Sequence, residues 1–206
     1  MLDSSLRRRI DPPLDAVGRR LARRGVTADQ VTIAGSAIGL GAAAAIALGW
    51  PLTGLALIVL NRLCDGVDGA VARAGLSRGK GPTDRGGFLD ITLDFVFYAA
   101  IPLAFAVVDP ARNALAAAAL LASFVASGAT FLAFAIFAQK RGMTTSAQGG
   151  KSIYYLAGLA EGTETIAVFG AFCLWPAWFP LLATAFAAVC TVSAAARIVM
   201  GWKAFG

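Results

Sequence analysis

The charged residues of this chain are bunched, and between the bunches run apolar stretches long enough to cross a lipid bilayer. No other feature constrains the fold as much. Inside a hydrocarbon layer about 30 Å thick every backbone polar group must find a partner within the protein, and a helix of about 20 residues does this unaided. Charged residues make up 15% of the sequence and hydrophobic ones 58%, leaving too little polar side chain to cover a soluble domain of 206 residues. Six apolar segments are expected, near 31–50, 51–73, 87–108, 111–138, 152–174 and 177–202. The reading is an all-α integral membrane protein, with six transmembrane helices in one domain at 30–206.

Residues 1–29 have a different character. Leu6, Ile10, Leu14, Val17 and Leu21 recur at spacings of three and four among arginines, the pattern of an amphipathic helix lying in the membrane interface. The Pro12-Pro13 pair is expected to break or start that helix. A cluster such as Arg7, Arg8, Arg9, Arg19, Arg20, Arg23 and Arg24 can serve as a nucleic-acid arm, but beside a span it marks the cytoplasmic flank and meets anionic lipid headgroups. The expected partner is membrane lipid, with no nucleic acid. The other basic residues gather after the second segment (Arg73, Arg78, Lys80, Arg85) and after the fourth (Lys140, Arg141, Lys151). With an even number of spans, both termini and these loops fall on the cytoplasmic side of a prokaryotic inner or plasma membrane. No cleavable signal peptide is expected, because the first apolar run begins near Val31 behind a long charged segment.

The chain has no histidine, which excludes Ser–His and Cys–His nucleophile pairs and any phosphohistidine intermediate. Cys64, Cys173 and Cys190 lie in apolar surroundings without metal-ligand spacing and read as small packing residues. The chemistry must come from carboxylates, lysine, hydroxyls or a metal.

Carboxylates stand where a membrane span should have none. Asp65 and Asp68 are three residues apart, and Asp90 and Asp94 four apart, so each pair shares a helix face. Both pairs lie a few turns inside the cytoplasmic ends of successive segments joined by a short hairpin, so they can converge. Inserting each at mid-helix costs about 2.5–3.5 kcal/mol, and no matching set of lysines or arginines within the spans is expected to neutralise them. Hard oxygen ligands at this density suit Mg²⁺ or Mn²⁺, and four carboxylates can hold two ions. A polar transporter lining, or a set of interfacial caps, is the alternative. Gly66, Gly69 and Ala72 leave one side of the same helix nearly bare, giving room for a flat nucleotide and its pyrophosphate or, more plainly, for close helix packing.

The run Asp65, Asp68, Gly69, Ala72, Arg73, Gly86, Asp90, Asp94 closely resembles the signature of the CDP-alcohol phosphotransferases (CDP-alcohol phosphatidyltransferases), D-x2-D-G-x2-A-R-x8-G-x3-D-x3-D. The six-helix layout behind an amphipathic N-terminal helix is similar too, so the resemblance covers essentially the whole chain. Two departures stand out. The stretch Ala74–Arg85 holds twelve residues where the signature has eight, and the start of the first span reads Asp29-Gln30-Val31-Thr32 where relatives often carry an asparagine before a threonine. The resemblance implies that Asp65, Asp68 and Asp90 hold two Mg²⁺ or Mn²⁺ ions, with Asp94 completing the site and acting as general base. It implies that Gly69 and Ala72 face the cytidine nucleotide with Arg73 near its phosphates, Gly66 and Gly86 being counted to the same nucleotide site. It further implies a homodimer that moves a phosphatidyl group from a CDP-linked lipid such as CDP-diacylglycerol to an alcohol, releasing CMP, in phospholipid biosynthesis.

The acceptor alcohol is less sharply written. Lys140, Arg141, Lys151 and Arg197 gather on the expected cytoplasmic side and suit a phosphorylated acceptor, glycerol 3-phosphate first and inositol phosphate beside it, unless they only set orientation. Glu161, with Glu164, would better suit an uncharged or amino alcohol. From other functional classes, a cation transporter and an inactive membrane scaffold remain as alternatives.

Overall fold

In a computed structural model, residues 2–75, 81, 83–143 and 162–206 are described, with side chains from residue 12 onward. Among these residues the structure is all-helical. Helix α1 spans Leu2–Arg23, α2 Ala28–Ala47, α3 Pro51–Gly75, α4 Asp84–Val108, α5 Pro110–Lys140, α6 Gly162–Leu174 and α7 Phe179–Phe205, with a short 3-10 turn at Pro176–Trp178 before α7. Among the described residues, four stretches are long and apolar enough to cross a membrane: Ala28–Ala47, Asp84–Val108, Pro110–Lys140 and Pro176–Phe205. Helix α3 is 25 residues long but carries Arg62, Asp65, Asp68 and Arg73 from its middle onward. Helix α6 is shorter, and the start of the expected fifth segment lies outside the described residues.

The chain divides into two compact units, Met1–Ala104 and Phe105–Gly206. In the first, α1 runs unbroken through Pro12 and Pro13, against the expectation of a break there. Two i→i−4 donors are lost, yet contacts downstream hold the helix: Gly18 lies so near α3 that an added Cβ would stand 2.6 Å from Ala70 Cβ. Helix α1 ends instead at Gly25, whose φ of +86° suits a residue without a Cβ, with Val26 N–H donating to Leu21 O at 3.1 Å. Thr27 then opens α2 with a capping box. Gln30 N–H donates to Thr27 Oγ1 (3.3 Å) and Thr27 N–H to Gln30 Oε1 (3.0 Å). The first apolar helix thus begins at Ala28, a little ahead of the expected boundary at residue 30.

Helices α2 and α3 pack closely. An added Cβ at Gly35 would stand 2.9 Å from Cys64 Cβ, and one at Gly39 would stand 2.8 Å from Phe97 Cδ2 and 3.0 Å from Asn61 Nδ2. Buried Asn61 donates from Nδ2 to the Gly35 carbonyl at 2.8 Å, a partner its amide needs in an apolar interior. Thr83 caps α4 by accepting Gly86 N–H at Oγ1, 3.0 Å away.

The second unit is built on aromatic rings. Phe105 stacks on Phe179 with centroids 4.7 Å apart, Phe172 meets Phe179 edge-on at 4.8 Å, and Phe124 touches Phe169 and Phe186. Cys173 and Cys190 are buried here as packing residues, while Cys64 lies half-buried in the first unit.

Candidate metal and nucleotide site

The two carboxylate pairs ride on α3 and α4, inside the first unit. The i, i+3 spacing of Asp65 and Asp68 and the i, i+4 spacing of Asp90 and Asp94 turn each pair to one side of its helix. One oxygen from each of Asp65, Asp68 and Asp90 falls within 4.8 Å of the others. Ligand oxygens on one Mg²⁺ at about 2.1 Å lie at most about 4.2 Å apart, so a small side-chain adjustment brings all three into one coordination sphere. The donor set is hard oxygen only, which fits Mg²⁺ or Mn²⁺. The pocket they share is also lined by Thr32, Arg62 and Asp94.

Thr32 is the first residue here with a role the sequence left open. Its hydroxyl lies 2.7 Å from Asp68 Oδ2 and 3.1 Å from the Ala28 carbonyl, and its single proton goes to the closer, charged acceptor. This fixes one carboxylate oxygen of Asp68. Asp29, in the same stretch, pairs with Arg85 at the start of α4 (Nη2–Oδ2 2.5 Å), and its Oδ1 would stand 3.2 Å from a Cβ added at Gly86.

Arg62 corrects the expectation that no cation within the spans answers these aspartates. Its Nη2 donates to Asp94 Oδ1 at 2.7 Å, and Nη1 lies 3.8 Å from Asp65 Oδ2. Nε donates to Asn61 Oδ1 at 2.9 Å, and the guanidinium carbon stands 4.9 Å above the centre of the Phe97 ring. Asp94 is therefore held on Arg62 and stands outside the three-carboxylate group, where the expectation had it completing the metal set. The signal was present in the sequence: an arginine three residues before Asp65 shares its helix face and is costly at that depth without a partner.

The residues expected at the nucleotide divide. Among the described residues, a Cβ added at Gly69 would meet Arg73 Nη1 at 3.3 Å and no other neighbouring side chain within 4 Å, which leaves room there for a flat ligand. Ala72 is half-buried, and Arg73 is exposed and pairs with Asp15 of α1 at 2.9 Å. Gly86 sits in the first turn of α4 with its N–H on Thr83. Gly66 departs from the expectation. An added Cβ there would stand 2.6 Å from Leu14 Cδ1, so α1 fills the space that this glycine opens.

The residues expected at the acceptor that are described belong to the second unit. Arg197 is buried on α7 and donates from Nη1 to Ser127 O (3.1 Å) and Oγ (2.9 Å). Arg141 donates to the carbonyls of Ala204 and Phe205 at the end of α7 (2.9 and 2.5 Å). Lys140 is exposed in the last turn of α5. Lys151 and Glu161 lie outside the described residues.

Comparison with known proteins places these features in a family. The chain is 47% identical to the inner membrane protein YnjF of Escherichia coli over 202 residues, 98% of this chain and 96% of that one. It is 40% identical over 89 residues to an archaetidylinositol phosphate synthase of Methanothermobacter thermautotrophicus, covering 43% of this chain and 40% of that protein. Its fold is similar to a crystal structure of the phosphatidylinositol phosphate synthase PgsA1 of Mycobacterium tuberculosis with CDP-DAG bound, at a TM-score of 0.70 and 23% identity over 92% of this chain and 93% of that one. The same enzyme in complex with manganese and citrate matches at a TM-score of 0.66 and 23% identity, over 92% and 88% of the two chains. The family model for CDP-alcohol phosphatidyltransferase matches residues 26–202, a span that takes in both carboxylate pairs and the described helices after α1 except the last three residues of α7. With the signature aspartates, the helices that carry them and a match over most of its length in agreement, this chain belongs to the CDP-alcohol phosphatidyltransferase family.

Proposed function

We propose that this protein moves a phosphatidyl group from a CDP-linked lipid such as CDP-diacylglycerol to an alcohol, releasing CMP, with Mg²⁺ or Mn²⁺ held by its aspartates. The observation that carries the reading is the convergence of Asp65, Asp68 and Asp90 within 4.8 Å, in a sequence run that matches the family signature. When bound, the divalent ions would supply positive charge to offset the pyrophosphate and the departing CMP. Asp65, Asp68 and Asp90 would hold them with Asp94 completing the site, Thr32 orients Asp68, and Asp94 accepts the proton of the attacking hydroxyl. That oxygen then bonds to the lipid-bearing phosphorus as the bond to the CMP oxygen breaks. The open side of α3 at Gly69 and Ala72 receives the cytidine nucleotide, with Arg73 and Gly86 near it.

The acceptor is read as a phosphorylated alcohol met by Lys140, Arg141, Lys151 and Arg197. Glycerol 3-phosphate keeps first place on those charges. Inositol phosphate is the second reading, favoured by two relatives named as inositol phosphate lipid synthases. In the membrane arrangement proposed, α3 and the segment ending in α6 also span, giving six transmembrane helices. Helix α1 lies in the interface with its arginines toward headgroups, and both termini and the aspartates face the cytoplasm of an inner membrane. The protein acts as a homodimer. The test is CMP release by the purified protein from CDP-diacylglycerol and Mg²⁺ with a panel of alcohols. Release that depends on glycerol 3-phosphate or inositol phosphate supports the reading. Ion flux through reconstituted protein without CMP release would favour the transporter.

A further inference from the structure

We propose that Arg62 is a positioning residue that orders the loading of the carboxylate site, compensating Asp94 until a second divalent ion displaces it. The proposal deepens the metal-dependent reading above and rests on it. Its basis is the way the guanidinium is held. Nε is bound to Asn61 Oδ1 at 2.9 Å, Asn61 is itself fixed to the Gly35 carbonyl at 2.8 Å, and the Phe97 face lies 4.9 Å below the guanidinium carbon. Nη2 is left pointing at Asp94 Oδ1, 2.7 Å away, and Nη1 lies 3.8 Å from Asp65 Oδ2. Its charge therefore bears on the two pairs unequally. Asp68 and Asp90 converge with Asp65 into a group that one ion can join. Asp94, on the same side of α4 as Asp90, is already bonded to a cation.

An ion bridging Asp94 must displace that short charge-assisted bond and then sit beside a guanidinium that Asn61 and Phe97 keep in place. An ion at Asp65, Asp68 and Asp90 breaks no bond to Arg62 shorter than 3.8 Å. The first ion should bind at Asp65, Asp68 and Asp90, where the short Arg62–Asp94 bond is left in place, and the second should bind more weakly for as long as Arg62 holds Asp94. The sequence supplies the lock on consecutive residues: Asn61 holds the side chain in place and Arg62 carries the charge.

The experiment titrates full-length detergent-purified protein with Mn²⁺ alone, reading free Mn²⁺ by electron paramagnetic resonance, without lipid donor or acceptor. The expected result is two phases, the first at least about tenfold tighter than the second. In Arg62→Gln the second phase should tighten until the two are within about threefold, an effect that mere loss of packing would not give. Asp94→Asn, which keeps the size and a hydrogen-bonding oxygen, should leave the first phase within about threefold and remove the second. It decides the matter if Arg62→Gln does not fold. Two equal phases in the unmodified protein, an unchanged gap in Arg62→Gln, or loss of the first phase in Asp94→Asn would each overturn the proposal. No Mn²⁺ binding at all would overturn the metal-dependent function itself, and this ordering with it.

Discussion

Helices α2 and α3 meet across Gly35, Gly39 and a buried asparagine, whereas the second unit packs on the rings of Phe105, Phe124, Phe169, Phe172, Phe179 and Phe186. In lipid there is little hydrophobic drive between helices, so both units rely on close contact, reached in opposite ways. In the first unit small residues let backbones approach, and the space is given to polar groups that need partners: Asn61 on Gly35, Thr32 on Asp68, Arg62 on Asp94. In the second unit buried rings are set among buried alanines such as Ala116, Ala117, Ala183 and Ala187, and the buried Arg197 donates to Ser127. The difference teaches where to look for chemistry. Ionisable groups in a span persist only with partners, and in the first unit the partners are themselves ionisable groups facing a pocket. Substitution in the first unit should therefore cost turnover before it costs stability, and in the second the reverse.

The sharpest break of that contrast is Asp68→Asn. Losing a ligand from the three-carboxylate group should lower CMP release by about a thousandfold or more, with a small change in Tm, and chelation by EDTA should match it until Mg²⁺ is restored. If activity survives in excess EDTA, the division of labour drawn here is wrong. In the second unit, Phe172→Ala removes a fully buried ring and should cost about 3–5 kcal/mol of stability, measured by denaturation in detergent. The protein that remains folded should keep kcat near the unmodified value. A kcat collapse at full stability would put chemistry in the aromatic unit.

Thr32→Val tests the supporting layer. It deletes a hydrogen bond to a charged carboxylate, worth about 1.5–3 kcal/mol, so Mn²⁺ affinity should fall roughly ten- to a hundredfold while the fold persists. An unchanged affinity would mean that Thr32 serves only its own helix through Ala28. The smallest effect belongs to Lys140→Ala. An exposed charge contributes about 1 kcal/mol or less, so the acceptor KM should rise by no more than about fivefold, with the KM for the CDP-lipid unchanged. A rise in the donor KM alone would move Lys140 to the other substrate.

The carboxylate pairs were legible in the sequence because their spacing is that of a helix face and their cost in lipid makes them conspicuous. The boundary before the first apolar helix was read near residue 30 from the change in composition, two residues late of Ala28, but the prolines drew attention to the wrong place for a break. A proline pair lowers local propensity, while contacts such as Gly18 on Ala70 act over a long sequence separation and prevail. Gly66 was misjudged for a related reason. It is one residue beyond Asp65, about 100° round the helix, so it need not share the carboxylates' face, and nothing local says that Leu14 fills the space beside it. Arg62 was overlooked because its partner Asp94 lies on another helix, 32 residues away. Pairings of that kind follow from helix packing, which periodicity within one segment does not encode.

Among the described residues the pocket is lined by residues between Thr32 and Asp94, so its carboxylates are all written in the first half of the chain. At about 5–20 residues per second, a ribosome needs on the order of ten seconds more to finish the protein after Asp94 has been added. When Asp94 is added, Lys140, Arg141 and Arg197 have yet to be made and can give the carboxylates no help. Any counter-charge built into the protein must come from the same nascent stretch, and Arg62, translated three codons before Asp65, is already in place to meet them.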